Sequence, residues 1–148
     1  MVYTRYGLVL IPVLLIILVN TFLAIIAYHY YMRMQQTIEF NRIQYYVENT
    51  ITLIHTAITV KYLSKVNDTL VIPLKIPNGI MVIICGNEVK YYPKVKVDLP
   101  DIANIISSLE CGLVKYKFNI TQSTIILSKG DYILSVSGYP PVIHINSK

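Results

Sequence analysis

A chain of 148 residues has room for one compact domain plus an anchor, and not for two independent domains. Hydrophobic residues make up 54% and charged residues only 14%, a balance that excludes an ordinary soluble domain along the whole length. The net charge of +5 is modest, and acids and bases are interspersed, which excludes a polybasic tail for nucleic acid.

The apolar excess is local. Gly7 to Ala27 carries no charge, and its polar side chains are Asn20 and Thr21 alone. At ~1.5 Å per residue this run makes a helix of roughly 31 Å, the thickness of a bilayer's hydrocarbon core. A cleavable secretory signal has a shorter apolar region, about 7–15 residues, before a small-residue site. Ala24-Ile25-Ile26-Ala27 lacks that spacing, so a retained segment is expected. Asn20 is a candidate helix–helix contact, since an amide in hydrocarbon needs a partner.

Beyond the run the pattern becomes one-sided. Phe40, Ile43, Val47, Ile51, Ile54, Ile58 and Tyr62 recur at steps of three or four, with Glu39, Arg42, Gln44, Glu48 and Lys61 between them. That is the packing stripe of an amphipathic helix. No Pro or Gly interrupts residues 13–72, so one continuous helix over 8–66 is expected, with residues 8–27 as membrane or filament core. Pro12 falls in the first turns, where its missing N–H costs little.

From Thr69 the period changes to two. Val95, Val97 and Leu99 alternate with Lys94, Lys96 and Asp98, Val114 and Tyr116 with Lys115 and Lys117, and Leu134 and Val136 with Ser135 and Ser137. Gly86-Asn87 reads as a two-residue hairpin loop, and Lys129-Gly130-Asp131 as a second turn. PDIANIISSLECG suggests a short helix from Pro100 with Gly112 as its exit. The fold class is therefore α+β: a long hydrophobic N-terminal helix, then six or seven antiparallel strands in a small sheet or sandwich over 67–148.

Cys85 and Cys111 are the two cysteines, and Asn67-Asp68-Thr69 and Asn119-Ile120-Thr121 are glycosylation sequons. Together they favour an extracellular β domain with a Cys85–Cys111 disulfide, against the alternative of two unlinked thiols. His29, His55 and His144 have no ligand-spaced neighbours, and no phosphate-cradling or nucleophile motif is present. No enzyme activity and no cofactor are expected. The lysines of EVKYYPKVKV and LVKYKF read as the wet face of strands rather than as a nucleic-acid surface.

The layout Arg5-Tyr6-Gly7-Leu8-Val9, then an apolar run opening a long helix, then a β domain, resembles type IV pilins and pseudopilins. LVLIPVLLIILV is also similar to the opening of tight-adherence minor pilins. The glutamate of many bacterial pilins would fall at Pro12; archaeal pilins often lack it. The resemblance implies a leader over 1–7, cut between Gly7 and Leu8 by a leader peptidase. It also implies lipid around the helix before assembly, and then packing against copies of the chain or related pilins in an extracellular filament. The alternative expectation is a single-span envelope or virion protein that presents its β domain for binding.

Overall fold

The computed structural model describes the backbone of residues 3–99 and 103–147; side chains of residues 1–10, 100–104 and 148 lie outside the described residues. The first helix, α1, runs Tyr3–Ser64, with Pro12 inside its early turns. Among the described residues eight strands follow, against the six or seven expected, all antiparallel where they pair: β1 Leu70–Ile76, β2 Met81–Cys85, β3 Glu88–Tyr92, β4 Ser107–Glu110, β5 Leu113–Tyr116, β6 Ile125–Leu127, β7 Gly130–Ser137 and β8 Val142–Ser147. One further helix, α2, occupies Ala103–Ile106. The strands form a three-stranded sheet, β1-β7-β8, and a five-stranded sheet, β4-β5-β3-β2-β6. The expected α+β class stands.

The chain divides into two compact units, Met1–Asn41 and Arg42–Lys148. The division falls inside α1 and not at its end, because the second half of the helix is the spine of the β unit. Val47, Ile51, Ile54, Ala57 and Ile58 are fully buried in one core with Leu74 and Ile76 of β1, Val82 and Ile84 of β2, Tyr91 of β3, Val114 and Tyr116 of β5, Leu134 and Val136 of β7 and Ile143 of β8. The one-sided stripe thus has its partner within the chain. Ile43 packs partly against this core, whereas Phe40 at the same spacing is 56% exposed.

Lys61 shares the buried side of the helix, three residues after Ile58, and is itself buried. Its ammonium donates to the carbonyls of Val66 and Asp68 and to the Asp68 carboxylate, so the cation's three donors are used. Lys65, at φ +52, takes the left-handed conformation that ends many helices. That reversal and the Lys61 bonds fold residues 66–68 back toward the last turn of α1.

Several local expectations change. The 100–112 helix shrinks to α2, and Ser107–Glu110 is an edge strand instead. Gly112, at φ +84, is not a helix exit; it forms the β4–β5 turn with Cys111, across which Glu110 pairs with Leu113. Residues 94–99 alternate in burial as expected, Val95 and Val97 in and Lys94, Lys96 and Asp98 out, but form no strand ladder. The Gly86-Asn87 hairpin is present, with Cys85 opposite Glu88 and Gly86 at φ +59, as a primed turn with glycine first requires. Lys129-Gly130-Asp131 joins no hairpin: β6 pairs with β2 while β7 pairs with β1 and β8, so this turn carries the chain from one sheet to the other.

Core membership sets an expected mutational contrast. Ile54→Ala in the full chain in detergent should cost about 2–5 kcal/mol, read as a lowered urea midpoint of the β signal. Phe40→Ala should stay within about 0.5 kcal/mol of the parent. Equal losses would contradict the assignment of Ile54 to the core and Phe40 to the surface.

Candidate membrane and assembly surface

In the first unit, α1 is a helix whose described side chains have no covering. Consecutive residues step ~100° around an α-helix, so an unbroken apolar sequence faces every direction. Ile11, Leu14, Leu15, Ile16, Ile17, Leu18, Phe22 and Leu23 are all more than half exposed, Leu18 at 68%. Among the described residues this is one helix long and apolar enough to cross a membrane. Its polar groups are handled locally: Thr21 Oγ1 donates to the Ile17 carbonyl at 2.8 Å, one turn back. Asn20 makes no side-chain hydrogen bond among the described residues.

Directly after the run, Tyr28, His29, Tyr30 and Tyr31 are exposed, followed by Met32 and then Arg33. The expected cut between Gly7 and Leu8 falls where α1 is helical, but both side chains lie outside the described residues.

The β unit holds the other expected sites. Cys85 and Cys111 are both free and exposed, so the expected disulfide is not formed. Cys85 ends β2 at the hairpin, level with Glu88, whereas Cys111 sits in the β4–β5 turn beyond Leu113, which is level with Lys90. They are separated by β3 and lie toward opposite ends of it. Two strand spacings of ~4.8 Å already exceed the Cα separation of about 7 Å that a disulfide tolerates. Cys85 Sγ instead accepts a hydrogen bond from Thr124 Oγ1 at 3.3 Å.

The sequons differ. Asn67 and Thr69 are both exposed. Asn119 is exposed, but Thr121 is buried, its Oγ1 donating to the Ser123 carbonyl at 2.8 Å. Thr121 belongs to a junction in which Gly86 O accepts from Ile120 N and Thr121 N, while Ile120 O accepts from Ile143 N. That loop ties the β2–β3 hairpin to β8.

A buried polar pair that the sequence did not single out lies between α1 and β5. The His55 ring stacks on Tyr116, its Nδ1 is 3.0 Å from Tyr116 Oη, and its Nε2 is 3.2 Å from Thr59 Oγ1. Neutral imidazole suits this setting in either tautomer, because each neighbouring hydroxyl can donate or accept. Burial pushes the His55 pKa down and the Tyr116 phenol up. At the end of the helix Tyr62 stacks on Phe118 and on Tyr139, at centroid distances of 5.2 and 5.5 Å. The sequence signal for both was position: His55 and Tyr62 follow Ile51 and Ile58 by four residues, near the buried face.

Among the described residues, no three His, Cys, Asp or Glu side chains gather where they could hold a metal ion. On the surface, Glu88 lies 3.1 Å from Lys90 and 3.6 Å from Lys115, so these lysines act as partners on the wet face of the sheet. The Lys90 hydrogen bond is the main cause of the lowered Glu88 pKa. Comparison of the chain with protein-family models, curated proteins and solved structures finds no match.

His55 sets a pH dependence. Its folded pKa lies below the ordinary value of 6.5, so below that pH the unfolded chain binds the proton more readily. Stability should be full above about pH 6.5 and fall as the pH drops toward the folded pKa, with a slope of up to ~1.4 kcal/mol per pH unit. Denaturation of His55→Gln between pH 7.5 and 5 should show a flatter profile than the parent. Parallel profiles would remove His55 as the cause.

Proposed function

We propose that the chain is a membrane-anchored structural subunit of the type IV pilin-like kind, whose exposed apolar helix passes from lipid into the core of an extracellular filament. The observation that carries this reading is the contrast within α1. One half is apolar and uncovered on all sides, and the other is one-sided and already covered by the chain's own sheets. Fully shielding each large apolar side chain contributes roughly 1.5–3 kcal/mol, so leaving Ile11 to Ile26 in water would cost on the order of 20 kcal/mol or more. A bilayer and a bundle of like helices each remove that cost, and transfer between them need not cross water.

In the proposed filament the intersubunit contact belongs to the first half of α1. Val47, Ile51, Ile54 and Ile58 are already occupied by the core of their own β unit, which leaves the first half for that contact. Asn20 supports association: its amide has no partner among the described residues of an otherwise apolar stretch, and a neighbouring copy can supply one. In this reading the β unit lies outside the membrane, which the two exposed sequon asparagines support. The second reading is a single-span envelope or virion protein that presents the β unit for binding. Exposed Tyr28, Tyr30 and Tyr31 beside the run favour it, since they suit a lasting lipid interface.

Intact-mass measurement on protein from its native membrane separates the two. A chain beginning at Leu8, in material that shows filaments by electron microscopy, supports the subunit; an uncut, unpolymerised chain supports the anchor. Asn20→Leu should weaken helix association in detergent by about 3- to 10-fold, measured by energy transfer between labelled copies. Unchanged association would remove Asn20 from the contact.

A further inference from the structure

We propose that Tyr28, Tyr30 and Tyr31 form a collar that sits in the headgroup interface of a bilayer and fixes the depth of α1. The occupant of this surface is lipid, and the inference rests on the membrane half of the reading above. Three observations carry it.

The first is direction. Residues 28–31 are consecutive on α1 and therefore point to four sides, ~100° apart: Tyr28, Tyr30 and Tyr31 take three of them, an arc of about 160°, and exposed His29 takes the fourth. The three tyrosines are 62%, 73% and 57% exposed. A contact with one partner helix uses one side and recurs every three or four residues. Tyr28 and Tyr31 alone would suit such a contact, but with Tyr30 and His29 the four amphipathic side chains face all sides at a single level, which fits a planar boundary instead.

The second is order. The sequence passes from the uncharged run ending at Ala27, through the tyrosines, to Arg33. Apolar, then amphipathic aromatic, then cationic is the order of environments met on leaving hydrocarbon for water. Each tyrosine ring can lie against acyl chains while its hydroxyl reaches water or a phosphate oxygen.

The third is length. Towards the N-terminus the sequence runs through the same order in reverse, with Tyr6, Arg5 and Tyr3 beyond Gly7. Tyr6 and Tyr30 are about 24 residues apart, or ~36 Å along a helix. That exceeds a hydrocarbon core of ~30 Å and falls short of the ~40–45 Å that includes the headgroups, so both ends fall within the interfaces. Tyr45 and Tyr46 are also exposed, but they lie where the helix is covered on one face and cannot form a ring.

The chain has no tryptophan, so a single introduced indole reports its own depth. Tyr30→Trp and Leu18→Trp full-length chains are to be reconstituted in phosphatidylcholine vesicles carrying bromine near the headgroup or near the acyl terminus, after flotation to isolate bound protein. The indole of Tyr30→Trp should be quenched at least about 3-fold more by the shallow bromines, and that of Leu18→Trp more by the deep ones. With Leu18→Trp as reporter, Tyr28→Leu, Tyr30→Leu and Tyr31→Leu together should change the ratio of shallow to deep quenching about 2-fold or more, because the boundary is no longer fixed. Three results would overturn the collar and leave the anchor standing. They are deep quenching of the Tyr30→Trp chain, an unchanged ratio in the triple variant, or a floating Tyr30→Trp chain whose indole a second copy shields from every bromine. Failure to float would overturn both.

Discussion

A helix that is apolar on every side has no stable place in water, and that constraint organises the rest of this chain. Over Gly7–Ala27 neither a charge nor a one-sided pattern lets α1 settle on a protein surface. The run must be enclosed by lipid or by other helices. The same covalent helix then has to become something a water-soluble unit can use, and it does so by changing pattern and not by ending. From Val47 onward one face is apolar and buried while Leu53, Val60 and Leu63 stay exposed on the other side, and the sheets supply the second surface of a core. Both patterns lie on one helix, Tyr3–Ser64, with the exposed residues 28–42 between them.

The β unit is correspondingly dependent on the helix. Its three- and five-stranded sheets each expose edges, and β4 and β6 have only four and three residues. Small sheets of this kind need a further apolar surface for a stable core. Val47, Ile51, Ile54 and Ile58 provide it, and His55, Lys61 and Tyr62 lie at its margins. Each of these three meets a definite partner: Tyr116, the 66–68 turn, and Phe118 with Tyr139. A buried cation or imidazole is tolerable only because its donors and acceptors are engaged.

What could be read from the sequence follows the same physics. The apolar run and the stripe were legible because helical burial leaves a local period, and the Gly86-Asn87 hairpin because its turn demands particular residues. Val114, Tyr116, Leu134 and Val136 showed the period of two for the same reason. Edge strand β4 was not legible: Leu109 and Glu110 are exposed together, so Ser107–Glu110 lacks alternation and sits beside residues that favour a helix. The disulfide expectation failed because spacing along the chain says nothing about register. Only the strand order shows that β3 separates Cys85 from Cys111. Lys61 was assigned to water by its charge, though its place three residues after Ile58 put it on the inner face.

The surface on which the proposed function rests was thus the most legible, and its partner the least. Apolarity on all sides states what the first half of α1 must avoid but does not by itself choose between lipid and protein. Features that break its symmetry do choose. Asn20 breaks it on one side and asks for a neighbouring helix, while the tyrosines at 28, 30 and 31 break it at one level and ask for a plane. A subunit that first resides in a bilayer and later packs with its own kind needs both, at different stages. An anchor that never polymerises needs only the plane, and for it a partnerless amide in hydrocarbon would be a standing cost. Within the proposed reading, Asn20 is the feature that supports assembly.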